Sequence, residues 1–204
     1  MRAVAYKEAL PITSPGALVD IELPEPVPEG RDLLVRVLAV SVNPVDTKIR
    51  ANSAPEAPRV LGWDAVGTVV SVAEGVTGFE AGQRVWYAGD LNRSGSNSEL
   101  QCVDERLVSL APRSLSSVEA AALPLTAITA WELLFERLRL APGKGPSDDV
   151  LLISGAAGGV GSILTQLASK LTAATVVGTV GRSESGEWVK SLGAHHVVDY
   201  RVPL

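Results

Sequence analysis

The stretch Asp149-Val150-Leu151-Leu152-Ile153-Ser154 runs without a break into Gly155-Ala156-Ala157-Gly158-Gly159-Val160-Gly161. A short apolar strand that turns through glycines straight into a helix constrains the fold more than any other feature of the chain. The pattern then repeats: a helix is predicted over 162–171, a strand over 174–180, a helix over 184–191 and a third strand over 196–200. The order β-α-β-α-β with strongly apolar strands predicts a parallel sheet joined by right-handed crossovers.

The texture upstream is different. From Arg2 to Leu110 apolar residues recur mostly in steps of two, in short runs separated by Pro and Gly. Five or six strands are predicted, at 2–6, 19–23, 32–42, 67–72, 84–88 and 99–104, with the fourth buried over most of its surface. Pro24, Pro26 and Pro28 force an extended connection after the second. A small β unit, closed or nearly closed to hide its edges, satisfies this pattern. Cys102 falls on a predicted strand and reads as a small core residue.

After Ser114 the signals become helical. Ser116 and Glu119 form a capping-box pattern ahead of a short helix that Pro124 interrupts. Ile128, Trp131, Leu134, Phe135 and Leu138 then recur at spacings of three and four, which predicts a second helix with these residues on one apolar face. The predicted division is a β-rich domain over 1–122 and a parallel-sheet domain over 123–204.

Composition narrows the partners. With Lys+Arg 18 against Asp+Glu 23, the net charge of -5 offers no footprint for nucleic acid or an anionic membrane surface. No stretch supplies the roughly 20 apolar residues of a membrane span, and the start lacks the apolar core of a signal peptide. The expectation is a soluble, cytoplasmic protein acting on a small molecule. A single cysteine excludes an internal disulfide and a multi-thiolate zinc site.

A glycine turn between a strand and a helix presents unpaired backbone N–H groups where the helix dipole also favours negative charge, which suits a diphosphate. On the dinucleotide fingerprint, Gly158 allows close backbone approach, Gly161 permits tight helix-strand packing, and Ala156 stands where the first glycine usually is. The second strand ends in Val180-Gly181-Arg182-Ser183, with no acid to meet ribose hydroxyls. Arg182 and Ser183 there suit a 2'-phosphate, favouring NADP over NAD. A solvated Arg182 with Glu184 as its partner is the other reading.

Several motifs resemble the quinone oxidoreductase and zinc-type alcohol dehydrogenase-like branch of the medium-chain dehydrogenase/reductase superfamily. They are Ser41-Val42-Asn43-Pro44-Val45-Asp46-Thr47, Leu61-Gly62-Trp63-Asp64-Ala65-Val66-Gly67, the turn from Gly75 through Gly78-Phe79 to Ala81-Gly82-Gln83-Arg84-Val85, Ala121-Ala122-Leu123-Pro124-Leu125-Thr126-Ala127-Ile128-Thr129-Ala130-Trp131, and the glycine turn at 155–161. The resemblance implies a GroES-like, β-barrel-like catalytic domain followed by a Rossmann domain, with NADPH in the cleft between them. It further implies that Gly155, Ala156, Ala157, Gly158, Gly159, Val160, Gly161, Gly181, Arg182 and Ser183 bind the cofactor. Thr129 is similar to a threonine near the nicotinamide, and Tyr200 to a tyrosine at the adenosine end, although a strand-end aromatic that merely packs reads equally well. Relatives place a lysine near the 2'-phosphate where Ser185 stands.

Relatives that use zinc hold it with a cysteine in the first motif and a histidine in the second. Here no cysteine lies near 43–47 and Trp63 replaces the histidine. The adjacent His195 and His196 on a strand would point to opposite faces. A zinc-dependent alcohol dehydrogenase is therefore disfavoured. Without a metal, reduction relies on positioning and on hydrogen-bond donors where negative charge develops, which suits quinones and activated alkenes or carbonyls. By resemblance Asn43, Asp46 and Lys48 line the cleft, and the tyrosine that several relatives carry at position 48 is absent. Asn43 before Pro44 is also an ordinary helix N-cap. Trp63 and Trp131 read as packing residues.

The sequence reaches Leu204 just after the third strand of the first β-α-β-α-β half. The expectation is a partial Rossmann sheet in a truncated product, with strand 149–154 left as an apolar edge, weak NADPH binding and poor turnover. The alternative is a non-catalytic remnant that binds nucleotide or a partner. Full-length relatives are expected to be homo-oligomeric.

Overall fold

In the computed structural model, which describes residues 1–202, the alternating N-terminal sequence forms β1 (Arg2–Tyr6), β2 (Val19–Glu22), β3 (Asp32–Val40), helix α1 (Pro44–Asn52), β4 (Arg59–Val60), β5 (Ala65–Val72), β6 (Arg84–Tyr87), β7 (Leu100–Asp104) and β8 (Val108–Leu110). β4 and β8 were not expected, because strands of two and three residues are too short to show an alternation. β7-β3-β5-β6-β8 form an antiparallel sheet and β2-β1-β4 a second one. The register of β3 against β5 shifts twice, between Leu34 and Val35 and between Val37 and Ala39. Such bulges bend long strands and increase their twist, giving the GroES-like half-barrel.

Inside it, Leu33, Val35, Val69, Val85 and Val103 form the core. Helix α2 (Ser117–Ala121) covers Val66 on the outer side, with its Ser116 and Glu119 caps in place. It does not extend to Val70 and Val72, which are exposed, so β5 is buried on both faces only over its first three residues. Cys102 is not a core residue. Alternation turns Gln101 and Val103 inward and leaves the thiol half-buried on the other side.

The first compact unit is Met1–Leu125 and the second begins at Thr126, just inside α3 (Pro124–Trp131). α3 continues as a π-helical segment, Glu132–Arg137, with Leu138 N–H donating to Leu133 O at 2.9 Å. The apolar stripe is divided: Ala130 and Leu134, four apart, are fully buried, whereas Ile128, Trp131 and Leu138 are about half exposed. The broad face expected from the spacing is therefore split, and Trp131 instead meets the Phe135 ring at 4.6 Å.

The parallel sheet follows as β9 (Val150–Ile153), α4 (Gly159–Leu171), β10 (Thr175–Val180), α5 (Ser183–Ser191) and β11 (His196–Asp199), in the order β11-β10-β9. α4 starts three residues before the expected position, inside the glycine turn. Lys144 Nζ donates to the carbonyls of Ser169 and Thr172 at its other end, where a cation complements the helix dipole. Leu151, Ile153, Val176 and Val180 turn one face of the sheet toward Leu164, Ala168 and Val189 of the helices. The edge strand β9 carries Val150 and Leu152, 67% and 64% exposed, on the opposite face. The expected second domain includes residues 203 and 204, which lie outside the described residues. Among the described residues no helix is long and apolar enough to cross a membrane.

Candidate functional site

Two groups of residues carry chemistry, one in each unit. In the second, β9 leads into a turn in which Gly155 has φ +65°, a conformation that costs an L side chain about 1–2 kcal/mol. Gly155 N–H donates to Thr179 Oγ1 at 3.2 Å and Ala156 N–H to Thr179 O at 3.2 Å, which ties the turn to β10. Gly161 lies against the turn it follows: a Cβ there would stand 2.7 Å from Ala156 Cα and closer still to Gly155 O. Gly158 is the N-cap of α4, and the first helical hydrogen bond is Ser162 N–H to Gly158 O at 2.8 Å. The N–H groups of Gly159, Val160 and Gly161 precede it and have no protein partner among the described residues, as the start of a helix dictates. Gly158 and Gly159 are exposed while Ala156 is fully buried. Ser154, Gly155, Gly158 and Gly161 line one side of a cavity of about 400 Å³, with Leu133 and Leu138 on another.

The ends of β10 and β11 lie at the same carboxyl end of the parallel sheet as this turn. Gly181 lets the Tyr200 ring approach the backbone: a Cβ at 181 would stand 2.6 Å from Tyr200 Cζ. Arg182 is the N-cap of α5, and both it and Ser183 are exposed. Glu184 acts electrostatically on Arg201. Arg201 itself grips Asp199 at 2.6 Å and holds that carboxyl down at about 2. Tyr200 is two-thirds exposed. Thr129 is half-buried on α3, one turn after Thr126, whose Cγ2 lies 3.6 Å from the position of a Cβ on Gly159.

The first unit contains a buried polar cluster. Asn43 caps α1 with Pro44 behind it, and the Asp46 carboxylate reaches back to accept Asn43 N–H at 2.7 Å. Asn43 Nδ2 donates to Asp64 Oδ2, and Leu125 N–H to Asp64 Oδ1, both at 2.7 Å. Asp64 is completely buried. Burial pushes its carboxyl up to about 6, with the Asp46 charge adding to the shift and the bonds from Asn43 and Leu125 opposing it. Burial likewise raises Asp46. The glycine before Trp63, Gly62, has φ +114° and admits the loop 95–97, whose Ser96 and Asn97 N–H groups donate to Gly62 O at 3.0 Å and Leu61 O at 2.9 Å.

Asn43 and Asp46 are thus brought together, and Asn43 is a cap and a cluster member at once. Lys48 is not part of the cluster, being exposed on α1 while Asp46 and Arg50 share the buried face. Asp64 and Arg50, whose guanidinium donates to Leu10 O at 2.5 Å, escaped the sequence reading. A signal was there for Asp64. A carboxylate inside the run 61–67, otherwise without charge, must be partnered if the run is buried, and all seven residues are. Trp63 packs with Tyr6 and Leu61, and among the described residues neither Trp63 Nε1 nor Tyr6 Oη has a hydrogen-bond partner.

An antiparallel half-barrel followed by a parallel sheet with a glycine turn defines a two-unit protein whose second unit is α/β. Residues 29–112 match the alcohol dehydrogenase GroES-like domain family. A zinc-type alcohol dehydrogenase-like protein of Staphylococcus aureus (strain COL) is 42% identical over 206 residues, covering 100% of this chain and 61% of its own length. A Rhizobium etli CFN 42 protein classed with the zinc-dependent alcohol dehydrogenases superposes with TM-score 0.94 at 52% identity, covering 100% of this chain and 60% of that one. The Escherichia coli quinone oxidoreductase, solved with NADPH, gives TM-score 0.82 at 29% identity over 100% of this chain and 60% of that one. Along its whole length the chain is similar to members of the medium-chain dehydrogenase/reductase superfamily, in its zinc-type alcohol dehydrogenase-like and quinone oxidoreductase branch. It spans about three-fifths of the length of these relatives.

The residues fit a dinucleotide: three unpartnered N–H groups at a helix start, next to glycines whose missing Cβ atoms leave the backbone open. They do not fit the zinc of the relatives' name. The position of the histidine ligand holds a buried indole, whose ring N–H is a donor without a lone pair.

Proposed function

We propose that this chain is part of an NADPH-dependent oxidoreductase that reduces quinones or activated alkenes or carbonyls without zinc. The observation that carries the reading is the turn at 154–162, whose geometry is that of a diphosphate cradle. When bound, NADPH supplies the hydride. Gly159, Val160 and Gly161 offer N–H groups to the diphosphate, and the Arg182 guanidinium neutralises the 2'-phosphate with Ser183 adding a hydroxyl. Tyr200 supports the adenosine end and Thr129 the nicotinamide end. In the first unit the Asn43 amide is a donor for the substrate oxygen on which negative charge develops, and Asp46 holds the Asn43 backbone. Lys48 is exposed and is proposed only as a charge at the substrate side.

NADPH binding followed by fluorescence, beside steady-state NADPH oxidation with a small quinone, tests this. Saturable binding with quinone-dependent oxidation supports it; no binding overturns it. The exposed Val150 and Leu152 on β9 favour a second reading, in which the chain binds nucleotide or a partner without turnover. Binding without oxidation supports that reading.

A further inference from the structure

We propose that Asp64 is the positioning residue of the first unit: its carboxylate fixes the orientation of the Asn43 side-chain amide. An ionised carboxylate only accepts hydrogen bonds, so the end of the amide that faces it must be Nδ2. The 2.7 Å bond to Asp64 Oδ2 therefore sets which way round the amide lies. Leu125 N–H holds the other oxygen at 2.7 Å, which fixes the carboxylate plane and prevents Asp64 from following a rotation of Asn43. The amide nitrogen has two N–H bonds in one plane. With one of them engaged by Asp64, the direction of the second is determined, and that second N–H is the donor invoked for the substrate oxygen. Asp46 fixes the Asn43 backbone and Asp64 its side chain, so both halves of the residue are held by carboxylates from different elements.

The orientation depends on ionisation. A protonated Asp64 can donate, so it tolerates Asn43 Oδ1 facing it as well as Nδ2, and the amide is released. Among the described residues the charge that acts on Asp64 is that of Asp46 on α1; Arg50, on the same buried face of α1, has its guanidinium bound to Leu10 O. Ser96 Oγ and Ser41 N–H touch only the Asp64 main-chain oxygen, at 3.4 and 3.2 Å.

This rests on the proposed function for its catalytic meaning, but its structural core can be read without turnover. The side-chain NH2 signals of Asn43 in a ¹⁵N–¹H correlation spectrum of the whole chain should move with pH around a midpoint near 6. Asp64→Asn should abolish that movement and displace the signals at pH 8, while Asp64→Glu should preserve the titration. Signals that do not move with pH in the wild type, or that titrate unchanged in Asp64→Asn, overturn the proposal. If quinone reduction is observed, Asp64→Asn should lower kcat ~10-fold or more with KM nearly unchanged, and Asp64→Glu should recover part of it. Wild-type kcat in an Asp64→Asn protein whose Asn43 signals have shifted also overturns it. Absence of turnover in the wild type sinks the proposed function and leaves the spectroscopic test to decide the role of Asp64.

Discussion

The Cβ of Ala156 occupies space left open by Gly178: a Cβ added at 178 would stand 2.9 Å from it and 2.6 Å from Val189 Cγ1. Ala156 is the departure from the dinucleotide fingerprint, and this contact explains how it is accommodated. The tight turn is made one residue earlier, by Gly155 at φ +65°, and the alanine methyl fills the interface between the turn and β10.

Gly178→Ala should therefore destabilise the second unit by about 1–3 kcal/mol through overpacking. Ala156→Gly in the same chain should restore part of the loss by removing one of the two clashing methyls. Urea unfolding followed by circular dichroism gives the two values. A Gly178→Ala protein as stable as the wild type would show that the turn yields easily.

Arg182→Ala should weaken NADPH binding about 10- to 100-fold, the worth of one charge-assisted contact, and leave NADH binding unchanged. Fluorescence titrations with the two cofactors separate the outcomes. Equal losses for both would mean that Arg182 meets no 2'-phosphate.

The β-α-β-α-β order was legible because its apolar runs and glycines are local signals, and so was the capping box at Ser116. The division of the α3 stripe was not. The spacing that joins Leu138 to Trp131 assumes 3.6 residues per turn, and the π-helical segment at Glu132–Arg137 between them breaks that assumption. The helix cap at Asn43 was legible from the proline that follows it. The run 61–67 marks Asp64 as a carboxylate that needs a partner, but that the partner is Asn43, 21 residues away, is a tertiary fact that the run itself does not encode.

Leu134→Ala should cost about 2–5 kcal/mol, since the side chain is fully buried in the core of the second unit. Trp131→Ala, at a half-exposed position with one tilted ring contact, should cost distinctly less. Thermal unfolding of the two variants ranks them. The reverse order would mean that Trp131, not Leu134, lies on the buried face of this helix.

Asp64 also makes stability depend on pH. Its carboxyl titrates at about 6 in the folded chain against the ordinary 3.8, so between these values the folded state binds more protons than the unfolded one. Stability from this group is thus full below about pH 4 and falls as pH rises to 6 and above, by an amount on the order of 3 kcal/mol. Asp64→Asn cannot ionise and lacks that slope, while every other carboxylate is common to both proteins. The stability of Asp64→Asn relative to the wild type, measured by urea unfolding at pH 4.5 and pH 7.5, should therefore increase with pH. A difference that stays constant, or that shrinks as pH rises, would mean that Asp64 ionises at least as readily in the folded chain as in the unfolded one.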